Sequence, residues 1–379
     1  MNQRPGPSPR IAIIGAGTIS QSVHTPLLRR AGFDLAMVCD LSPSRVADVV
    51  GSSMVRGTTD PEVVFAAEDV DAVLIATPGS HAQLTARALE SGKHVLAEKP
   101  LAMTIAEVER LERMQATSGR VAQVGYMKMY DPLTDRARAE IAELSDLRLV
   151  RITVAHPDDY PQLAHLRLDA PPTDADPKVI GQANEYENAR VNEALGNLPR
   201  GLADYYTNVL NGSLVHEFSL LRALGLPAPT EWTADVFPSL NNGAPASLLA
   251  TGAVGAVRYI ISWNWLPEYP EYDEELSVLA SNGRLSYHLA KPYLLEERSV
   301  LTVQRSNGLE RRSSTYTNGF ETGFLRQLDA FKESILHGAP VLSGLAGVKD
   351  DVGTLQSLVK AIGAGIGVDV VTEADRRAS

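Results

Sequence analysis

At 379 residues, with 44% hydrophobic and 21% charged content, the chain is long enough for two domains and too apolar to be mainly disordered. Its net charge of -11 argues against nucleic acid or an anionic lipid surface as the main partner, because either needs a concentrated basic face. Cys39 is the only cysteine, so an intrachain disulfide and a Cys-based zinc site are excluded, and the eight histidines show no short-spaced ligand pairs, so no metal is expected.

The first ten residues, MNQRPGPSPR, carry no apolar segment of the kind a secretory signal needs, and no stretch approaches the ~18 uninterrupted apolar residues of a membrane span. Residues 1–10 therefore read as a flexible N-terminus, and a cytoplasmic protein is expected. From residue 11 to about 130, short apolar runs alternate with amphipathic segments, the pattern of a parallel α/β domain. Strands are predicted at 11–14 (IAII), 34–39 (DLAMVC), 71–76 (DAVLIA), 93–98 (KHVLAE) and 120–124 (RVAQV). Between the last two, Ile105, Val108, Leu111 and Met114 recur at helical spacing.

Beyond residue 130 the texture changes. LRLVRITVAH reads as a strand, and residues 157–200, with six prolines and eight acids against four Lys or Arg, read as an elaborated loop or small helical insertion. From 231 to 316 several β-rich runs predict a mainly antiparallel sheet, and Asn282-Gly283 marks a hairpin because both residues tolerate positive φ. Phe324, Leu328, Phe331 and Ile335 mark one late helix; Val352, Leu355, Leu358, Val359 and Ile362 mark another. The expected domains are 11–130, 131–345 for substrate and oligomerisation, and a C-terminal helix and tail over 346–379.

Two motifs carry chemistry. IAIIGAGTIS places Gly15-x-Gly17 after a strand and at the start of a helix, where a tight turn and unpaired N–H groups suit a pyrophosphate. The third glycine of that fingerprint is replaced by Ser20. Asp40, twenty-three residues after Gly17 and at the end of the second strand, is placed to bind the adenine ribose hydroxyls, which favours NAD; Arg45 and Ser42 follow closely, so NADP is not excluded. The second motif is Glu98-Lys99-Pro100. If 93–98 is a later strand of the same sheet, Lys99 emerges at its carboxyl edge on the nicotinamide side, a positioned cation able to bind a hydroxyl and assist its deprotonation. Pro100 biases Lys99 towards an extended conformation.

The stretches IIGAGTISQSVHTPLL, VLIATPGSHAQLTARALESGKHVLAEKPLAMT and VGYMKMYDP resemble the Gfo/Idh/MocA family of oxidoreductases, densely over 11–132 and more weakly through GSLVHEFSLLRALG. The resemblance implies an N-terminal Rossmann dinucleotide-binding domain and a C-terminal α+β domain on a large, mainly antiparallel open sheet. It implies NAD or NADP, a sugar, sugar derivative or cyclitol as substrate, and a homodimer or homotetramer. Cofactor contacts are then expected at Gly15, Gly17, Thr18, Ile19, Asp40, Arg45, Ala76, Thr77, Pro78, His81, Glu98, Lys99 and Gln123. Lys99 and His216 become the catalytic pair, with Tyr126, Lys128, Tyr206 and Asn211 as further substrate contacts.

The chain departs from the family where an Asp commonly stands four residues before the catalytic His. Here that position is Gly212, so either His216 works with Lys99 alone or Asn211, Tyr206 or Glu217 takes the role. His24 reads as a packing residue. Lys128 reads equally as a substrate contact or a solvated lysine. Tyr259, Trp263 and Trp265 share one face of a strand and read as core or subunit interface, with a sugar-stacking surface as the alternative. Two other functions remain open: a redox-neutral glycosidase or epimerase that retains NAD, and a non-catalytic dinucleotide-sensing regulator.

Overall fold

A computed structural model describes residues 8–378 except 52, 159–161, 167, 169–171 and 241–244. These residues divide into two compact units that interleave along the chain, whereas the sequence suggested contiguous blocks. One comprises the chain up to Tyr126, Leu168–Arg190 and Phe324–Lys349; the other comprises Met127–Arg167, Val191–Gly323 and the residues from Asp350 onward. Most of residues 1–10 lie outside the described residues.

The first unit runs β1 (Arg10–Ile14), α1 (Thr25–Arg30), β2 (Asp34–Cys39), α2 (Pro43–Val50), β3 (Arg56–Thr58), α3 (Pro61–Ala66), β4 (Ala72–Ile75), α4 (Ala82–Glu90), β5 (His94–Ala97), α5 (Ile105–Ser118) and β6 (Ala122–Val124). Its six strands pair in parallel in the order β3-β2-β1-β4-β5-β6. That is the doubly wound Rossmann order, and the central strands are continuous apolar runs because helices cover both faces. Ile11, Val73, Leu74 and Val95 are fully or almost fully buried. The helix at 105–118 starts at a capping box, in which Thr104 Oγ1 accepts from Glu107 N–H and Glu107 reaches back to Thr104 N–H. The late helix Gly323–His337 belongs here from Phe324 onward. Phe331 stacks on Phe33 with ring centres 6.0 Å apart, and Ser343 exchanges two hydrogen bonds with Val124.

The second unit holds an eight-stranded sheet: β7 (Leu147–His156), β8 (Trp232–Phe237), β9 (Ser247–Val254), β10 (Val257–Trp265), β11 (Asp273–Ala280), β12 (Gly283–His288), β13 (Val300–Ser306) and β14 (Arg311–Thr317). The order is β14-β13-β12-β11-β7-β10-β9-β8, and β7 with β10 is its one parallel pair. Tyr259, Ile261 and Trp263 face a helical layer, and Trp263 Nε1 donates to Ser213 Oγ at 3.0 Å. The predicted hairpin joins β11 to β12, but neither Asn282 nor Gly283 has positive φ. Gly283 is needed for another reason: a Cβ there would stand 2.2 Å from the Gln304 carbonyl on β13. Among the described residues no helix is long and apolar enough to cross a membrane.

Candidate active site

Because all six strands of the first sheet are parallel, the loops that follow them collect at one edge. Gly15 follows β1 with φ of 95°, and its N–H donates to the Cys39 carbonyl of β2 at 2.8 Å. A Cβ on Gly15 would stand 2.6 Å from the backbone of Ala76, so this glycine is required by the fold. A Cβ on Gly17 would meet nothing within 4 Å. That open space beside a loop of backbone N–H groups fits a pyrophosphate. Ser20, in place of the third glycine, donates its hydroxyl to the Gly15 carbonyl and so locks the turn. Thr18 and Ile19 lead into the helix that follows, whose Ser20–His24 turn is π-helical.

Two alanine substitutions separate these roles. Gly15→Ala should cost about 1–3 kcal/mol for the backbone conformation alone, plus the clash with Ala76. Gly17→Ala should leave the urea midpoint near that of the unmodified protein while weakening NADH binding about tenfold or more. Fluorescence titration of NADH beside urea melts checks both, and equal effects of the two substitutions would contradict the assignment.

At the end of β2, Asp40 accepts from Ala16 N–H at 2.8 Å and from Ser42 N–H at 2.9 Å, which fixes its carboxylate between the glycine loop and the start of α2. Arg45 lies in the first turn of α2. After β4, the segment Ala76-Thr77-Pro78 passes Gly15 and reaches His81. The His81 ring is buried and faces two carbonyls, Pro100 at 2.8 Å from Nδ1 and Thr77 at 2.9 Å from Nε2. Burial lowers its pKa more than the two carbonyls raise it, so the neutral ring donates to one of them. His81 therefore ties the β4 loop to the Glu98-Lys99-Pro100 turn, whose Lys99–Pro100 peptide bond is cis.

Glu98 is buried directly behind that turn. Its N–H donates to the Ile75 carbonyl at 2.8 Å, and its Oε2 accepts from Lys99 N–H at 3.2 Å. His24 Nε2 lies 2.8 Å from Glu98 Oε1, in a buried pair, and the His24 ring meets Phe324 edge-on. Burial would raise the Glu98 carboxyl, but the His24 hydrogen bond and the nearby Lys99 and His81 hold it below the usual range. His24 thus packs, as expected, and also sets the charge beneath Lys99, a role sequence reasoning missed. Gly125 makes room for this pair, since a Cβ there would stand 2.9 Å from the Glu98 carboxyl. Gln123, expected at the cofactor, is 1% exposed and donates to the Gln327 carbonyl at 2.9 Å, and Tyr126 is also 1% exposed.

The remaining candidates belong to the second unit. Tyr206 and Asn211 are buried in a π-helical segment, Tyr206–Leu214, and Asn211 Nδ2 donates to the Tyr206 carbonyl at 2.9 Å. Val215 N–H donates to Leu210 O, five residues back, so the π turn runs into the helix Val215–Ala223 that carries His216. In such a turn a residue five positions back stands about where an α-helix would put the residue four back. Asn211 is five residues before His216.

Lys128, read from sequence as a substrate contact or a solvated lysine, is 6% exposed and ion-paired, which corrects the solvated reading. Its ammonium donates to Glu217 Oε1 at 2.7 Å and to Glu274 Oε2, and Tyr272 donates to the same Glu274 oxygen at 2.7 Å. Glu217 Oε2 and Glu274 Oε1 are buried without a hydrogen-bond partner among the described residues. Burial raises the Glu217 carboxyl despite the neighbouring ammonium, while the two carboxylates raise Lys128 against its own burial. Glu274 and Tyr272 were not foreseen. The readable signal was an acid in the same phase as Leu276 and Val278 of a half-buried strand. Tyr259 and Trp263 are 2% exposed core residues, and Trp265 and Trp263 pack within 5.6 Å of the His156 ring.

A parallel six-stranded sheet in Rossmann order, a glycine loop after β1 and a carboxylate after β2 define an NAD-binding Rossmann domain. Residues 9–126 match the family model described as "Oxidoreductase family, NAD-binding Rossmann fold", and over that stretch the chain is similar to the Gfo/Idh/MocA oxidoreductases. Inositol 2-dehydrogenase 3 of Saccharopolyspora erythraea is 36% identical over 126 residues, which cover 32% of this chain and 37% of that protein. Inositol 2-dehydrogenase of Mycolicibacterium smegmatis is 36% identical over 142 residues, covering 36% and 39%. The chain therefore matches less than half the length of these relatives. Among solved structures, a protein of Desulfitobacterium hafniense superposes with a TM-score of 0.74 at 16% identity, over 98% of this chain and 99% of its own. A 3-ketoreductase from Actinomadura kijaniata in complex with NADP and TDP-benzene gives 0.65 at 17%, over 95% and 98%. At these identities the likeness concerns the fold alone.

Proposed function

We propose that the protein is an NAD(P)-dependent oxidoreductase that interconverts a secondary alcohol and a ketone on a sugar, sugar derivative or cyclitol. The observation that carries this reading is the shared carboxyl edge of the first sheet. There the glycine loop, Asp40 and the Glu98-Lys99-Pro100 turn follow β1, β2 and β5 of one parallel array. A bound nicotinamide would supply the two-electron acceptor or donor. Asp40 would take the ribose hydroxyls, and the open side of Gly17 the pyrophosphate.

Lys99 would bind the substrate hydroxyl and accept its proton as the carbinol becomes a carbonyl. The step requires the neutral Lys99 amine, and the Glu98 carboxylate behind it, held below its usual range by the His24 hydrogen bond, would stabilise the ammonium that forms when the amine takes the proton. His216 would be the second proton-transfer residue of the proposal, with Asn211 across the π turn in the role that an Asp commonly fills. The inositol dehydrogenases among the curated relatives support a cyclitol or sugar as the substrate class. A homodimer or homotetramer is part of the same proposal.

The test is an absorbance scan at 340 nm with NAD and NADP and a panel of inositols, sugars, amino sugars and nucleotide sugars. NADH or NADPH formed with one compound supports the proposal and identifies the substrate. A cofactor that co-purifies while no compound yields net reduction would replace it with the redox-neutral reading.

A further inference from the structure

The start of α2 is an anion position that the chain fills by itself. α2 spans the eight residues Pro43–Val50, and Ser42 caps it, accepting from Arg45 N–H at 3.1 Å. The Ser42 hydroxyl donates to Asp174 Oδ1, and Ser44 N–H donates to Asp174 Oδ2 at 2.9 Å. One carboxylate from far along the chain thus spans the first turn of a helix, where unpaired N–H groups and the helix dipole favour negative charge. These hydrogen bonds, that from Ser42 first, hold the Asp174 carboxyl below its usual range.

The placement is secured from behind. The helix Pro177–Leu195 begins three residues after Asp174. On it, Glu187 Oε2 accepts from Ser80 N–H at 3.1 Å and from Ser80 Oγ at 2.7 Å. Tyr186 donates to Glu107 Oε1 at 2.9 Å. The segment is therefore tethered to the loops that follow β2 and β4, so its exposed Asp174 is held rather than free to wander.

In dinucleotide-binding folds of this type, discrimination between NAD and NADP is made just past β2. A carboxylate there takes the ribose hydroxyls, whereas the 2′-phosphate of NADP needs an Arg and hydrogen-bond donors nearby. Here the donors beyond Asp40 include the Ser42 hydroxyl, the Ser44 N–H and hydroxyl and the Arg45 guanidinium. The Ser42 and Ser44 donors already serve Asp174, and a phosphate in their place would face its carboxylate.

We propose that Asp174 is a cofactor-selectivity residue whose carboxylate occupies the position a 2′-phosphate would take, so that the protein selects NAD over NADP. The inference rests on the reading of the Gly15–Gly17 loop as a dinucleotide site. Asp40 alone disfavours the 2′-phosphate; Asp174 also removes the donors that could compensate, which leaves Arg45 as the single remaining attraction.

The experiment is fluorescence titration of NADH and NADPH into the full chain and its Asp174→Ala, Asp174→Asn and Asp174→Glu variants at fixed ionic strength. The unmodified protein should bind NADH about a hundredfold more tightly than NADPH, because like charges oppose the 2′-phosphate. Asp174→Ala and Asp174→Asn should tighten NADPH binding about tenfold or more, and Asp174→Glu should restore the discrimination. A loop tether with no part in selectivity would lower the melting temperature of the Ala variant and leave the NADH/NADPH ratio unmoved, which would overturn the proposal. An unmodified protein that binds NADPH as tightly as NADH would overturn it as well. Binding of neither dinucleotide would bring down the dinucleotide reading itself, a result distinct from an unmoved ratio.

Discussion

Replacing Lys99 by alanine is expected to lower turnover about 10²–10⁴-fold, the usual contribution of a positioned proton acceptor, with a much smaller change in NADH affinity. The asymmetry follows from the site. The proposed cofactor position uses Gly15, Gly17, Asp40 and the β4 loop, all of which Lys99→Ala leaves in place. The turn that carries Lys99 is held independently, by Glu98 N–H on Ile75 and by His81 bridging Thr77 and Pro100. Lys99→Arg refines the test. Guanidinium keeps the positive charge but cannot give up its proton. Turnover restored by arginine would make Lys99 a positioning cation only, whereas arginine as inactive as alanine supports proton transfer through the amine. Stopped-flow or steady-state rates at 340 nm, beside NADH titration, separate these outcomes, and an equal loss of rate and NADH affinity would remove Lys99 from the chemistry.

The parts of this site that could be read in the sequence are those in which one residue type does one local thing. IAII, AMVC, AVLI and HVLA are almost entirely buried, so they stand out as short apolar runs, and the motif residues simply follow them. β3 is only Arg-Gly-Thr, too short and too polar to show any period. The helix Pro177–Leu195 was legible only as an elaborated loop or small helical insertion because its apolar face is sparse: Val191, Ala194 and Leu195 are buried at its C-terminal end, while the remainder is largely polar or exposed. What could not be read are pairings between distant positions. Nothing local in Asp174 points to Ser42, which lies 132 residues away, and nothing in Lys128 points to Glu274, 146 residues away. The missing Asp before His216 was visible, but the π turn that brings Asn211 into that phase depends on backbone packing and has no sequence period of its own.

The distant pairing of Lys128 leads to the largest expected effect on stability. Lys128→Met keeps the length of the side chain but leaves Glu217 and Glu274 facing each other, buried at 0% and 1% exposure, without their ammonium. Removing one partner of a buried charge cluster typically costs about 3–5 kcal/mol, since the charges left behind are uncompensated. The loss should depend on pH in a definite direction. The Glu217 carboxyl is already raised above its usual value by burial, so the folded chain holds that proton more tightly than the unfolded chain. Such a group favours the folded state most at pH below the unfolded carboxylate value of about 4.3, and that advantage is lost as pH rises through the raised folded value. Without Lys128 the Glu217 carboxyl is pushed higher still, so urea melts should show the largest deficit near pH 8 and a clearly smaller one near pH 5. Lys128→Met combined with Glu217→Gln should recover part of the loss, because the second change removes one of the stranded charges. A deficit below about 1 kcal/mol, or one that does not shrink towards pH 5, would mean that the cluster is solvated and contributes like a surface ion pair.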